Sequence, residues 1–115
     1  MKATMTRIVF PGDTNHHKTL FGGQALKWMD ELVYIVAFKH FQRDFVTVKV
    51  NTVRFLKPVM LNEIFELTAT IRNVGKVKLD IDLQGFIISS NTKELAIEGA
   101  FTLAPVDEKM RPVRL

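Results

Sequence analysis

The chain has 115 residues, 47% hydrophobic and 24% charged, a balance that fits one globular domain and argues against disorder. It has no cysteine, which excludes disulfides, thiolate metal sites and a cysteine nucleophile together and fits a cytoplasmic location. The net charge of +4, from 16 Lys and Arg against 12 Asp and Glu, is scattered rather than clustered. Such a balance suits a small anionic ligand better than nucleic acid, for which no recognition module is present.

The opening MKATMTRIVF carries charges but no long apolar core and no small-residue cleavage pattern, so no signal peptide is expected. No apolar run approaches the ~20 residues needed to cross a bilayer. Met5 to Phe10 is expected as a short strand that stops at the Pro11-Gly12 turn signal. A polar loop from Asp13 to Thr19 leads into Leu20-Phe21-Gly22-Gly23 and a long helix reaching about His40. Ala25, Leu26, Met29, Leu32, Val33, Val36 and Ala37 follow the spacing of a buried helical face. Leu32 to Phe38 is apolar throughout, which predicts a half-helix wrapped on all sides and an enclosed setting for the acids near its start. No capping side chain precedes the helix, so Gly22 and Gly23 are expected at the N-cap. Without side chains they leave the first backbone N–H groups open to a ligand atom.

Beyond His40 the chain turns and then runs as a Val- and Thr-rich strand from Phe45 to Leu56. Its alternation slips near Asn51-Thr52, which predicts a bulge there. Ile64 to Val74 is the next strand, followed by a turn around Gly75 and a strand to about Ile88 interrupted at Gly85. Glu94 to Leu103 is the last strand, closed by Pro105. Strand, long helix and four hairpin-joined strands predict a single α+β domain over residues 1–115, with its core at about 5–104 and a peripheral tail at 105–115. Free sheet edges invite a second copy of the chain.

Asp30 is the first candidate for chemistry. It is either a general base or nucleophile in a dry pocket, or a helix-surface acid paired with Lys27. Glu31 is expected on the solvent side, paired with Lys27. Gly22 and Gly23 either mark a turn or present N–H groups to a carbonyl oxygen that becomes negative, where one donor is typically worth ~3 kcal/mol. Asn15 either orients a water or a carbonyl, or closes an Asx turn. His16 and His17 lack a third ligand at sensible spacing, so no metal is expected. His40 suits the negative end of the helix dipole.

Pro11-x-Asp13-x-Asn15, Thr19-Leu20-Phe21-Gly22-Gly23, Trp28-Met29-Asp30-Glu31, Val46-Thr47 and Phe55-x-x-Pro58-Val59 occur in one unbroken order. Together they resemble the acyl-CoA thioesterases of the hot-dog fold, in particular the single-domain bacterial acyl-CoA hydrolases. The resemblance implies a long helix wrapped by an antiparallel sheet of about five strands. It also implies homodimers that join their sheets edge to edge, trimers of dimers (hexamers) in many members, and active sites at the dimer interface. Carried over by position, it makes Asp30 the catalytic carboxylate, Asn15 a residue lent by the opposite subunit, and Gly23 the N–H donor to the thioester carbonyl. Phe21, Gly22 and Thr47 then line the substrate site. The family loop commonly has glycine where this chain has Lys18, and a small hydroxyl residue follows the turn glycine where this chain has Lys76, with Lys78 beyond. These lysines could meet CoA phosphates or simply face solvent.

The reading that follows is hydrolysis of an acyl-CoA to free acid and CoA, with CoA as part of the substrate and no separate cofactor. No nucleic acid or membrane partner is expected. The alternatives are a hot-dog dehydratase or hydratase using His16 or His17, and a non-catalytic acyl-CoA-binding module.

Overall fold

The apolar spacing after Gly22 folds into one helix, α1 (Gly22–Phe41), in the computed structural model, which describes residues 1–115. Ala25, Trp28, Met29, Leu32, Val33, Val36 and Ala37 are its buried side chains. Gln42 ends it in the left-handed region (φ 52°), donating its N–H to the Phe38 carbonyl, with Lys39 and His40 at the negative end of the dipole.

Five strands surround this helix: β1 (Lys2–Ile8), β2 (Phe45–Phe55), β3 (Ile64–Val74), β4 (Leu79–Ile88) and β5 (Lys93–Pro105). They form one antiparallel sheet in the order β1-β3-β4-β5-β2. Alternate residues of β3, β4 and β5, among them Phe65, Leu67, Leu79, Ile81, Phe101 and Leu103, turn inward and are buried with the helix face in one core. The first strand after the helix, β2, pairs with the last strand and becomes an edge, while β1 closes the opposite edge beside β3. No helix is long and apolar enough to cross a membrane.

Several boundaries differ from the sequence reading. The first strand starts at Lys2 and stops at Ile8, and Pro11–Asp13 forms a 3-10 turn. The fourth strand starts only at Leu79, because the Gly75 N–H donates to the Lys78 carbonyl (2.9 Å) and closes the turn over Lys76 and Val77. The bulge expected near Asn51 is present as a register shift between Val50 and Thr52, and a second shift lies between Thr47 and Lys49. The interruption at Gly85 is a register shift against β5. The tail, expected to be peripheral, folds back: Val106 is buried, its N–H donates to Asp44, and the Leu115 N–H donates to Lys76.

The half-helix from Leu32 to Phe38 is not wrapped on all sides. Tyr34, Ile35 and Phe38 remain 40–45% exposed, and Leu26 is exposed as well. One sheet can cover only one face of a helix, so a helix that is apolar all round keeps an uncovered side within a single chain.

Candidate active site

The sheet curls far enough for its two opposite edges to flank the same stretch of the helix. Met5 and Arg7 of β1, Asp30, Glu31, Tyr34 and Ile35 of α1, and Phe45, Val46 and Thr47 of β2 line one open cleft of about 670 Å³. Asp30 is the acid held there by a hydrogen bond. The Thr47 hydroxyl donates to Asp30 Oδ1 at 2.6 Å, and Oδ2 has no partner within the chain. The third residue after Asp44 thereby holds the middle of the helix, because β2 runs back along α1. The Tyr34 hydroxyl donates to Asp44 (3.2 Å) one helical turn further on. Loss of water around the ring, then this bond and the nearby Asp44 charge, raise the Tyr34 pKa.

Asp30 is exposed in the single chain rather than enclosed. The apolar residues expected to wrap it lie on the uncovered side of the helix, and the sheet turns its back to them. Neither acid pairs with Lys27. Glu31 instead faces Arg7, Nη2 to Oε1 at 3.9 Å, both about 45% exposed, and the Arg7 guanidinium lies 5.2 Å from the centre of the buried Trp28 ring. Arg7 was not singled out in the sequence; a charged residue on a strand edge gives no local signal of what it faces.

Asn15, Gly22 and Gly23 lie elsewhere and line no part of this cleft. Phe21, not a glycine, is the N-cap: its backbone is extended (φ −66°, ψ 132°) and its carbonyl accepts the Gln24 and Ala25 N–H groups. Gly22 and Gly23 therefore occupy the first two helical positions, and their N–H groups have no acceptor in the chain. A side chain at Gly22 would rest on the Phe55 ring (3.6 Å) and one at Gly23 would press on the Phe21 ring (3.3 Å). Both rings are more than half exposed and flank the bare amides. Asp13 braces this start, accepting Gln24 Nε2 (2.8 Å) on its side chain and the Phe21 N–H (2.8 Å) on its carbonyl.

Asn15 builds a closed hook. Its Oδ1 accepts the His17 N–H (2.9 Å), the Thr19 N–H (3.3 Å) and the Thr19 hydroxyl (3.2 Å). Lys18 sits inside the hook at φ 61°, the left-handed backbone that favours glycine, so the loop keeps its turn with a lysine in it. Lys18, Lys76 and Lys78 are exposed and have no carboxylate within ion-pair distance. His16 and His17 lie against each other with their rings tilted by 42° (3.9 Å between ring centres) and line no cleft with Asp30.

A family profile described as the thioesterase superfamily matches residues 17–92. The uncharacterised acyl-CoA thioester hydrolase YkhA of Bacillus subtilis is 32% identical over 97% of this chain, which spans 66% of that relative's length. The acyl-CoA hydrolase of Staphylococcus aureus, solved with butyryl-CoA, CoA and CoA disulfide, is 33% identical with a TM-score of 0.93, over 98% of this chain and 70% of its own. Structures of its alanine variants at an asparagine, an aspartate and a threonine have also been solved, and successive members of that trio are 15 and 17 residues apart. Asn15, Asp30 and Thr47 have the same separations here. A hexameric thioesterase of Yersinia pestis is 28% identical with a TM-score of 0.89, over 96% of this chain and 93% of its own. The profile spans well over half of the residues and the helix-in-sheet architecture superposes along nearly the whole chain, so this chain belongs to the thioesterase superfamily and has its hot-dog fold.

Proposed function

We propose that this chain hydrolyses acyl-CoA thioesters to the free acid and CoA. The observation that carries the reading is the Thr47–Asp30 bond. It fixes one carboxylate oxygen and leaves the other open to a cleft with apolar walls. Water adds to the thioester carbonyl carbon as Asp30 takes its proton. The resulting oxyanion is held by the Gly23 N–H, and the carbon–sulfur bond then breaks to release CoA as thiolate. A thiolate leaves more readily than an alkoxide, so one well-placed base is sufficient. The matched spacing of Asn15, Asp30 and Thr47 to the trio altered in the Staphylococcus enzyme supports these assignments.

The reaction needs two copies of the chain. Asp30 and Thr47 sit in one place, and Asn15 with the bare amides in another, so an intact site forms where the Asp30 cleft of one protomer meets the Asn15 loop of its partner. The uncovered side of α1 and edge strand β2 offer an apolar surface for that contact, and assembly continues to a hexamer, as in the Yersinia relative. Phe21 and Gly22 frame the thioester, and Lys18, Lys76 and Lys78 meet the CoA phosphates. The compartment is the cytoplasm, where acyl-CoA is made and used.

Thiol release from butyryl-CoA tests the reading. Asp30→Asn should reduce turnover to background with the assembly unchanged by light scattering. Mixing Asp30→Asn with Asn15→Ala should restore part of the activity, since one site per mixed dimer is then complete. Full turnover by Asp30→Asn alone ends the proposal.

A further inference from the structure

Asn15 has four polar groups, and its own loop consumes three of them. Its backbone N–H donates to the Thr19 carbonyl (2.9 Å) and its backbone carbonyl accepts the Lys18 N–H (3.0 Å). Its side-chain Oδ1 takes three donors, two of them backbone N–H groups and the third the Thr19 hydroxyl. A backbone N–H can only donate, so the atom facing the loop must be the amide oxygen. That leaves Nδ2, which has no partner within the chain. The hook is itself anchored: the Leu20 N–H donates to Val59 (2.7 Å) and the Leu61 N–H to Lys18 (3.0 Å). A freely turning amide would offer a substrate a donor or an acceptor equally, whereas this one offers only a donor.

We infer that Thr19 is a positioning residue that locks the Asn15 amide, so that Nδ2 donates a hydrogen bond to the thioester carbonyl oxygen. This rests on the hydrolase reading above and deepens it. A donor on the attacking water would hold down the lone pair that has to form the new bond. A donor on the carbonyl oxygen strengthens as negative charge gathers there, and so favours the transition state over the bound substrate. Asn15 of one protomer and Gly23 N–H then form the two arms of one oxyanion site. Thr19 contributes twice to the lock, through its N–H and its hydroxyl, and a β-branched side chain stiffens the second of these.

The test uses the full chain, butyryl-CoA and thiol release, with kcat and KM measured separately. Asn15→Asp keeps the oxygen that the loop requires and puts a charged acceptor in place of the donor. Its kcat should fall ~10²- to 10³-fold, as for other lost oxyanion donors, with KM and melting temperature little changed. Thr19→Val should lower kcat ~10-fold at nearly constant KM, the mark of an interaction made in the transition state, and Thr19→Ser should restore it. Wild-type turnover in Asn15→Asp overturns the donor assignment. Wild-type turnover in Thr19→Val, or a Thr19→Ser variant as slow as Thr19→Val, overturns the positioning role. If the unaltered chain releases no thiol, the hydrolase reading falls and the transition-state role with it. The lock is then judged by amide exchange: protection of the His17 and Thr19 N–H groups should disappear in Asn15→Ala, and unchanged protection refutes it.

Discussion

The Thr47 hydroxyl stands 2.6 Å from Asp30 and takes one of the carboxylate's lone pairs. Thr47→Val removes that bond with little change in shape, leaving the charge but not its aim. We expect kcat to fall ~10-fold with KM nearly constant, since orientation matters most at the transition state; steady-state thiol release reads it. Lys18 makes the opposite argument, for stability. At φ 61° any side chain beyond Cα crowds its own backbone, at ~1–2 kcal/mol. Lys18→Gly removes that cost and should raise the urea midpoint, by less than the full amount because glycine loses more freedom on folding. Lys18→Ile should lower the midpoint, through a loss of unfolding free energy of ~1 kcal/mol or more, because a β-branched residue tolerates this backbone worst. The residue types at both positions were legible in the sequence. That Thr47 donates to Asp30 was not, because 17 positions separate them and no local pattern spans such a gap.

Among the elements, the helix and the strands follow from their periods: apolar residues three and four apart before His40, and alternate residues after Phe45. Two features of the strands depend on their neighbours instead. Gly85 interrupts β4 because a side chain there would enter the ring of buried Phe65 across the sheet. On the outer face, Asn51 Nδ2 donates to the Thr102 hydroxyl (2.9 Å), and that hydroxyl donates to Asp80 (2.8 Å), tying β2, β5 and β4 together. The Thr102 hydrogen bond, then that from Asn73, with the Lys78 and Arg72 charges helping, holds the Asp80 carboxyl below its ordinary 3.8. A carboxyl lowered by folding stabilises the fold above its unfolded pKa and loses that contribution as the pH drops through its folded value. The wild-type urea midpoint should therefore exceed that of Asp80→Asn at neutral pH and converge on it in acid below 3.8. Thr102→Val should move the Asp80 titration, followed by carboxyl-carbon NMR, back toward the ordinary value.

For the molecule as a whole, the question is what covers the far side of the helix. Leu26, Tyr34, Ile35 and Phe38 on α1 and Val48, Val50 and Phe55 on β2 are all 38–56% exposed. An edge strand with free backbone groups beside an apolar helix face is a surface that a monomer is expected to hide. Val50→Lys should shift the chain toward monomer in light scattering and abolish thiol release together, while far-UV circular dichroism keeps its shape. A monomeric variant with full activity would show that one chain holds a complete site.

The element types, the glycine pair at the head of the helix and the residue types available for chemistry are written in the chain itself, because side-chain period and backbone freedom are local properties. The sequence predicts a half-helix enclosed on every side, and there local reasoning fails: seven apolar residues in a row from Leu32 state what must be hidden, not what hides it. It took folding to bring strands from opposite edges of the sheet to the Asp30 cleft and to leave Asn15 and the bare amides outside it. Curling a sheet around a helix brings together residues distant in the chain, through twist and packing summed over five strands.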